Sequence, residues 1–376
     1  MSRKPEGKLR RGWTTGACAT AAAAAAYTAL LTGEFPDPVE IVLPKGERPS
    51  FALARKELAD GGATAGIVKD AGDDPDVTHG ALILSTVRLG EPGGGVTFRA
   101  GEGIGTVTRP GLALAVGEPA INPAPRRMMA EAIARIAAAN GAAGDVEITV
   151  AIPGGAEIAR HTWNAKLGIV GGLSVLGTTG VVHPYSCSAW IASIHRGIDV
   201  ARASGLAHVA ACTGSTSEAG VRRLYDLPEI GVIDMGDFAG GTLKYLRRHP
   251  VKRVTLAGGF AKISKLAAGH LDLHSGRSQV DPEALAGALG ALGAPPDLLD
   301  RARRAAAAGE ILAEARAAGL PLADRIAAEA RARAAEVAGA GVAVEVMIFD
   351  REGALIGRAP FSRQSSVVSH QSESEN

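Results

Sequence analysis

The stretch HVAACTGSTSEAGVRRLYDLPEIGVIDMGDFAGGTLKYLRRHPVKRVTLAGGFAKISKLAA, residues 208–268, decides the fold. Short apolar runs at 208–212, 231–235 and 253–257 are bounded by Gly, Asp and Thr, the pattern of buried strands. Residues 217–225, 238–248 and 260–268 between and after them read as helices. Strand–helix alternation at this spacing implies right-handed crossovers and a small parallel sheet. In such a sheet a nucleoside ligand lies across the carboxyl ends of the strands. Small-residue turns let it approach, and an acid after the second strand grips the ribose hydroxyls. The matching cofactor-binding residues are Thr213, Gly214 and Ser215 after the first strand, Asp234 on the second, and Gly258 and Gly259 ending the third. No full G-x-G-x-x-G is present, so a dinucleotide is the weaker version of the site. Tight turns, with Asp234 as a helix cap or surface acid, explain the same residues without a ligand.

Upstream, Thr14 or Thr15 can cap a helix through the alanine-rich run 19–31, which Gly33 and Pro36 stop. The pattern then changes to short stretches at 39–43, 65–68, 81–87 and 95–98, punctuated by Gly and Pro and read as strands. A helix over 125–140, closed by Asn140-Gly141, and a strand over 145–152 follow. A further helix spans 186–204. Downstream, 281–339 is rich in Ala and Arg with breaks at Pro295-Pro296, Gly309 and 319–321, and 342–349 reads as a last strand. The expected fold class is therefore mixed α/β: an α+β domain with a mixed sheet, a small parallel Rossmann-like domain, and a C-terminal helical cluster. The boundaries read as a flexible lead-in at 1–12, the α+β domain at 13–183, the parallel domain at 184–280, a helical region with a terminal strand at 281–363, and a disordered tail at 364–376.

Bulk properties exclude several classes. A chain of 376 residues is long for one core. Net charge is +1 and only 14 residues are aromatic, so neither a nucleic-acid nor a membrane surface is expected. Cys18, Cys187 and Cys212 lie far apart, giving no zinc or disulfide framework. The polar start Met1-Ser2-Arg3-Lys4-Pro5 leads us to expect no secretory signal, and the apolar run 17–31 is short and weakly apolar for a membrane span. A reducing cytoplasm is the expected location.

Four blocks combine glycine with small hydroxyl, acidic or imide-restricted residues: 13–18, 69–78, 117–123 and 171–180. Such loops turn backbone N–H groups toward a ligand, and four of them suggest a large polar ligand held from several sides. Thr14-Thr15 and Thr178-Thr179 offer hydroxyls and amides suited to carboxylates or phosphates, although a Thr cap needs no ligand. The acidic loop 70–76 lacks the spacing of a calcium site. Its sharper reading is that Asp74 or His79 serves as a general base, while Asx-turns account for the same acids. His270 and His274 lack a third ligand for a metal. Arg126, Lys69, Lys166, Lys262 and Lys265 flank the blocks and suit a polyanionic substrate.

As an ordered set, 14–19, 69–78, 117–128, 167–180 and 265–274 resemble the CbiD family, the cobalt-precorrin-5B C-1 methyltransferases of cobalamin biosynthesis. The resemblance runs from about residue 10 to about 275. Two turns, 212–218 and 257–262, depart from the family's usual pattern. The resemblance implies transfer of a methyl group from S-adenosylmethionine to ring carbon 1 of a contracted, many-carboxylate tetrapyrrole. It implies catalysis by positioning, with Asp74 or His79 as base. Substrate contacts would fall on Thr14, Thr15, Lys69, Asp70, Arg126, Thr178 and Thr179. No protein-bound metal is implied, since any cobalt arrives with the substrate. Alanine-rich helices are compatible with a homodimer. Two rivals stay open: a non-catalytic corrinoid carrier, which needs no nucleoside site, and an NAD(P)-dependent reductase of the same pathway.

Overall fold

The computed structural model describes residues 7–59 and 61–361; the tail at 364–376 and the start of the lead-in lie outside the described residues. The fold is mixed α/β, and the chain falls into two compact units that divide between Cys187 and Ser188.

In the first unit a five-stranded sheet runs Arg55–Ala59, Gly62–Val68, Leu82–Leu89, Val146–Ala151, Val96–Ala100. Its pairings are antiparallel except the last, which is parallel. The alanine-rich helix Thr15–Thr32 packs between this sheet and helix Pro123–Asn140. It is buried from Thr15 through Tyr27, and Ala lets its backbone come close to its neighbours on every side. Ser85, within the sheet, donates its hydroxyl to the Ala19 carbonyl at 2.9 Å. By length and composition this helix could cross a bilayer, which the sequence reading did not expect; 78% of it is buried inside the fold. Its ends follow the sequence. The Thr14 hydroxyl accepts the Ala17 N–H, and Gly33 ends the helix in a left-handed conformation. Gly141 closes helix Pro123–Asn140 in the same way.

Three strand expectations change. The strand at 39–43 shortens to Val39–Glu40, paired with Ser50–Phe51. Arg55–Ala59 was not expected; it is a fully exposed, charged edge strand that carries no apolar alternation. Leu355–Ala359, also unexpected, is a short edge strand. The lead-in, expected to be flexible, is tied down at Arg10. Its N–H donates to Asp73 and its guanidinium to both oxygens of Asp70.

In the second unit the sheet runs Val232–Asp234, His208–Cys212, Arg253–Gly259, Ala343–Phe349, Leu355–Ala359. The first four strands are parallel and the last antiparallel. The chain therefore leaves His208–Cys212 toward one edge and Arg253–Gly259 toward the other, which is a topological switch point. One face carries a large core with helices Ala239–Arg248, Phe260–Ala267 and Leu322–Ala338. Residues expected as a helical region after 281 build into that same core, as Pro282–Gly290, Pro296–Arg304, Ala308–Ala317 and Leu322–Ala338. The other face packs against helix Ser215–Leu224, with Ala210, Cys212, Ala257, Met347 and Phe349 beneath Val221. Beside it Glu345, with 0% of its surface exposed, accepts from the Tyr225 hydroxyl at 2.6 Å and the Thr255 hydroxyl at 2.7 Å. Arg358 grips the same carboxylate at 2.8 and 2.9 Å. Burial first, and the hydrogen bond to Glu345 second, push the Tyr225 hydroxyl up to about 12.

Candidate active site

The four Gly-rich blocks, all in the first unit, pack on one another. Trp13 N–H donates to Asp70 O at 2.8 Å, Thr14 N–H to Gly180 O at 2.9 Å, Gly16 N–H to Leu176 O at 3.0 Å and Asn122 N–H to Val175 O at 3.0 Å. Gly12–Trp13 pairs antiparallel with Val181–Val182. Two glycines are demanded by this closeness. Gly177 has φ 124°, and a Cβ there would lie 2.3 Å from Thr14 Oγ1; Gly72 has φ 69°, and a Cβ would lie 2.2 Å from Arg10 O. The same knot encloses Cys18, whose thiol burial pushes up to about 12, so it is no nucleophile. A cleft of about 330 Å³ opens beside the knot, lined by Trp13, Phe51, Leu53, Ile67 and Asp70 among others.

This packing sorts the expected substrate residues. Thr14 and Thr15 are buried, and the Thr14 hydroxyl is used on the Ala17 N–H. Lys69 is 1% exposed, and its ammonium donates to Asp76 and, at 2.7 Å, to the Thr78 hydroxyl. Asp76 completes the loop by accepting the Thr78 N–H and O–H. Lys69 and Thr78 thus hold the knot from inside, while the side chain of Asp76 keeps 26% of its surface exposed. Arg126 is likewise turned inward: its guanidinium donates to the carbonyls of Ile121 and Pro119 and pairs with Glu118. Asp70 lies at the surface, and the Arg10 guanidinium holds its carboxyl at about 2. Thr178 is exposed, and Thr179 half-buried beside Val181.

The two expected bases also differ. His79 Nδ1 accepts the Ala71 N–H at 3.1 Å. With that lone pair engaged, the neutral ring carries its proton on Nε2, which makes it a donor rather than a base there. Asp74 Oδ1 accepts the Tyr185 N–H at 2.8 Å, leaving Oδ2. Among the described residues Tyr185 is the one non-glycine with a left-handed backbone, φ 57°. The Asp74 bond holds that costly conformation, a feature with no sequence signature.

In the second unit, the six residues expected to bind a nucleoside fall on one sheet edge. Cys212 is in register with Asp234 and with Ala257, so Thr213–Ser215, Asp234 and Gly258–Gly259 end three adjacent strands. Thr213 N–H bonds Ala257 O at 2.9 Å, and a Cβ on Gly258 would lie 2.8 Å from Thr213 Oγ1. A Cβ on Gly214 would meet nothing within 4 Å, and on Gly259 only the Phe349 carbonyl at 4.0 Å. The backbones of Gly214 and Gly259 thus face open space at the switch point, the arrangement a flat nucleoside requires. Sequence reasoning passed over Asp237 here and read Lys262 only as a basic flank suited to a polyanionic substrate. Asp237, three places beyond Asp234, pairs with Lys262 at 3.0 Å, and Lys262 also donates to Thr213 O at 3.0 Å. The repeated Asp in 234–237 was the available signal. Lys265, by contrast, is buried and donates to the Leu273 carbonyl.

Fold and sites together define an α/β ligand-binding protein of two units, the second a doubly wound sheet with small-residue turns at its carboxyl edge. The model of the CbiD family matches residues 2–184, and that of the CbiD C-terminal domain matches residues 272–360. A protein of Brucella anthropi named cobalt-precorrin-5B C(1)-methyltransferase is 62% identical over 93% of this chain and 96% of its own length. One of the same name from Paramagnetospirillum magneticum is 63% identical over 94% and 99%. A crystal structure of the cobalamin biosynthesis protein CbiD from Archaeoglobus fulgidus is similar at 24% identity, covering 84% of this chain and 86% of that one, with a TM-score of 0.39. The chain belongs to the CbiD family.

Proposed function

We propose that this protein is a C-methyltransferase of cobalamin biosynthesis that methylates carbon 1 of cobalt-precorrin-5B, giving cobalt-precorrin-6A, with S-adenosylmethionine as donor. Identity that extends over nearly the whole of this chain and of its named relatives carries the reading. The second unit's strand edge is the donor site: Gly214 and Gly259 admit the nucleoside and Asp234 takes the ribose hydroxyls. The first unit's knot is the macrocycle site, with Thr178, Thr179 and the surface around Arg10 and Asp70 as polar contacts. The bound donor supplies an electrophilic methyl group, and the electron pair of its carbon–sulfur bond stays on sulfur. The chain's task is alignment, which is worth roughly 7–11 kcal/mol when reacting atoms are held near 3–3.5 Å. Asp74 Oδ2 takes a proton where the ring must be activated, and His79 Nε2–H donates a hydrogen bond. The cobalt is substrate, and the site of action is the cytoplasm.

The test is incubation with S-adenosylmethionine and cobalt-precorrin-5B, followed by mass spectrometry. The product should gain one methyl group, with S-adenosylhomocysteine in equal amount. Thr178→Val should lower turnover about tenfold, the effect of losing one hydrogen bond to a charged group. Tight corrinoid binding without methyl transfer would favour the carrier instead.

A further inference from the structure

We propose that Lys262 and Asp237 form the subsite for the amino-acid end of the methyl donor, Lys262 receiving its α-carboxylate and Asp237 its α-ammonium. The inference rests on the donor reading of this strand edge and deepens it.

Lys262 lies on helix Phe260–Ala267, directly after strand Arg253–Gly259. Its side chain crosses the switch point to the Thr213 carbonyl, beyond strand His208–Cys212. It also meets Asp237, beyond strand Val232–Asp234. One ammonium thus joins the loops after three adjacent strands, at the place where a ligand of this sheet must lie. The neighbouring Lys265 spends its charge on an inner carbonyl, so the two lysines of this helix have different tasks.

A donor such as S-adenosylmethionine ends in a zwitterion, an ammonium and a carboxylate on one carbon. A site for it needs one cation and one anion side by side, and Lys262 and Asp237 stand 3.0 Å apart. Asp237 is 15% exposed and Lys262 37%, so the pair is sheltered yet not sealed from solvent. A zwitterion that enters there exchanges ion pairs and strands no charge in a poorly hydrated place. The Thr213 carbonyl takes one of the three donors of the Lys262 ammonium. Asp237 Oδ1 faces that ammonium at 3.0 Å as an ion pair but is buried without a hydrogen-bond partner among the described residues. A remaining lysine donor suits a carboxylate oxygen. The Leu273 N–H, donating to the Asp237 carbonyl at 2.9 Å, fixes the loop that carries the acid. Asp234 and Asp237 then divide the donor between them, the first at the ribose and the second at the amino group.

Titration calorimetry with two probes tests this: S-adenosylhomocysteine, and 5′-methylthioadenosine, which keeps the nucleoside and the sulfur but lacks the amino acid. The wild-type chain should bind the first more tightly. Lys262→Met should weaken S-adenosylhomocysteine by about 10- to 100-fold, the worth of a charge-assisted hydrogen bond, and leave methylthioadenosine within about twofold. Asp237→Asn should behave alike and serves if Lys262→Met does not fold by circular dichroism. Equal weakening of both ligands would reduce Lys262 to a structural latch, and unchanged S-adenosylhomocysteine affinity in both variants would remove the subsite; either overturns the inference and leaves the donor reading standing. A wild-type chain that binds neither ligand overturns the donor reading, and the subsite with it.

Discussion

Removing Asp76 should cost more than removing the lysine it faces. Lys69 is 1% exposed, and its ammonium has two partners, Asp76 and the Thr78 hydroxyl. Asp76→Ala leaves that ammonium enclosed with one neutral acceptor, a loss of about 3–5 kcal/mol. Lys69→Met keeps the hydrocarbon stem. It leaves Asp76, whose side chain is 26% exposed, with the Thr78 N–H and O–H at 2.8 and 2.6 Å, so about 1–2 kcal/mol is lost. For a unit of this size the melting temperature falls about 2–4 °C per kcal/mol, hence about 6–20 °C for Asp76→Ala and about 2–8 °C for Lys69→Met. The double variant should cost about as much as Lys69→Met alone, a coupling of about 3–5 kcal/mol, the size of the Asp76→Ala loss. Burial pulls the Asp76 carboxyl upward, but the charge of Lys69 and the bonds from Lys69 and Thr78 outweigh it and set it below the usual range. Its contribution is therefore complete above about pH 4 and is lost as pH falls through the folded-state value. Scanning calorimetry between pH 7 and 3 should show the gap between wild type and Asp76→Ala closing on acidification. A larger loss in Lys69→Met than in Asp76→Ala, or a raised KM in Lys69→Met at an unchanged melting temperature, would refute the enclosed-ammonium account and return Lys69 to the substrate contacts.

Two further outcomes follow from the geometry. Gly177→Ala places a Cβ 2.3 Å from Thr14 Oγ1 at φ 124°, so it should cost at least about 2 kcal/mol through strain and a disturbed helix cap; an unchanged melting curve would count against the packed knot. The Tyr225 proton is held up to about 12, so its contribution to stability is intact below pH 10 and lost between about 10 and 12. Glu345→Gln removes the anion that assists this, and an absorbance titration should then find one tyrosine ionising at lower pH; an identical titration curve would rule out the Glu345–Tyr225 coupling.

The elements were largely legible wherever packing and local preference agree. Helix Thr15–Thr32 announces its cap at Thr14 and its stop at Gly33, and strand His208–Cys212 stands where its apolar run predicts it. Arg55–Ala59 escaped because an exposed edge strand has no buried face and so no alternation. The candidate site was legible as residue types and not as roles. Thr178 and Lys69 look alike as ligand groups in a Gly-rich block, yet one is exposed and the other enclosed. Lys262 and Lys265 look alike too, and only the partners of each nitrogen separate them.

By itself the sequence determined the family, the mixed α/β class and the strand ends on which Thr213, Asp234 and Gly258 would meet. Periodicity, turn chemistry and helix caps are local, so a linear chain carries them in full. Tertiary structure decided which polar groups face inward: the ammonium of Lys69, the fork of Arg126 and the Nδ1 of His79 are spent on the fold, while Asp237 joins the edge beside Asp234. The reason is that a buried charge or donor must find its partner across loops distant in sequence, and which partner it finds depends on the closeness of backbones at Gly72 and Gly177 that no single segment encodes.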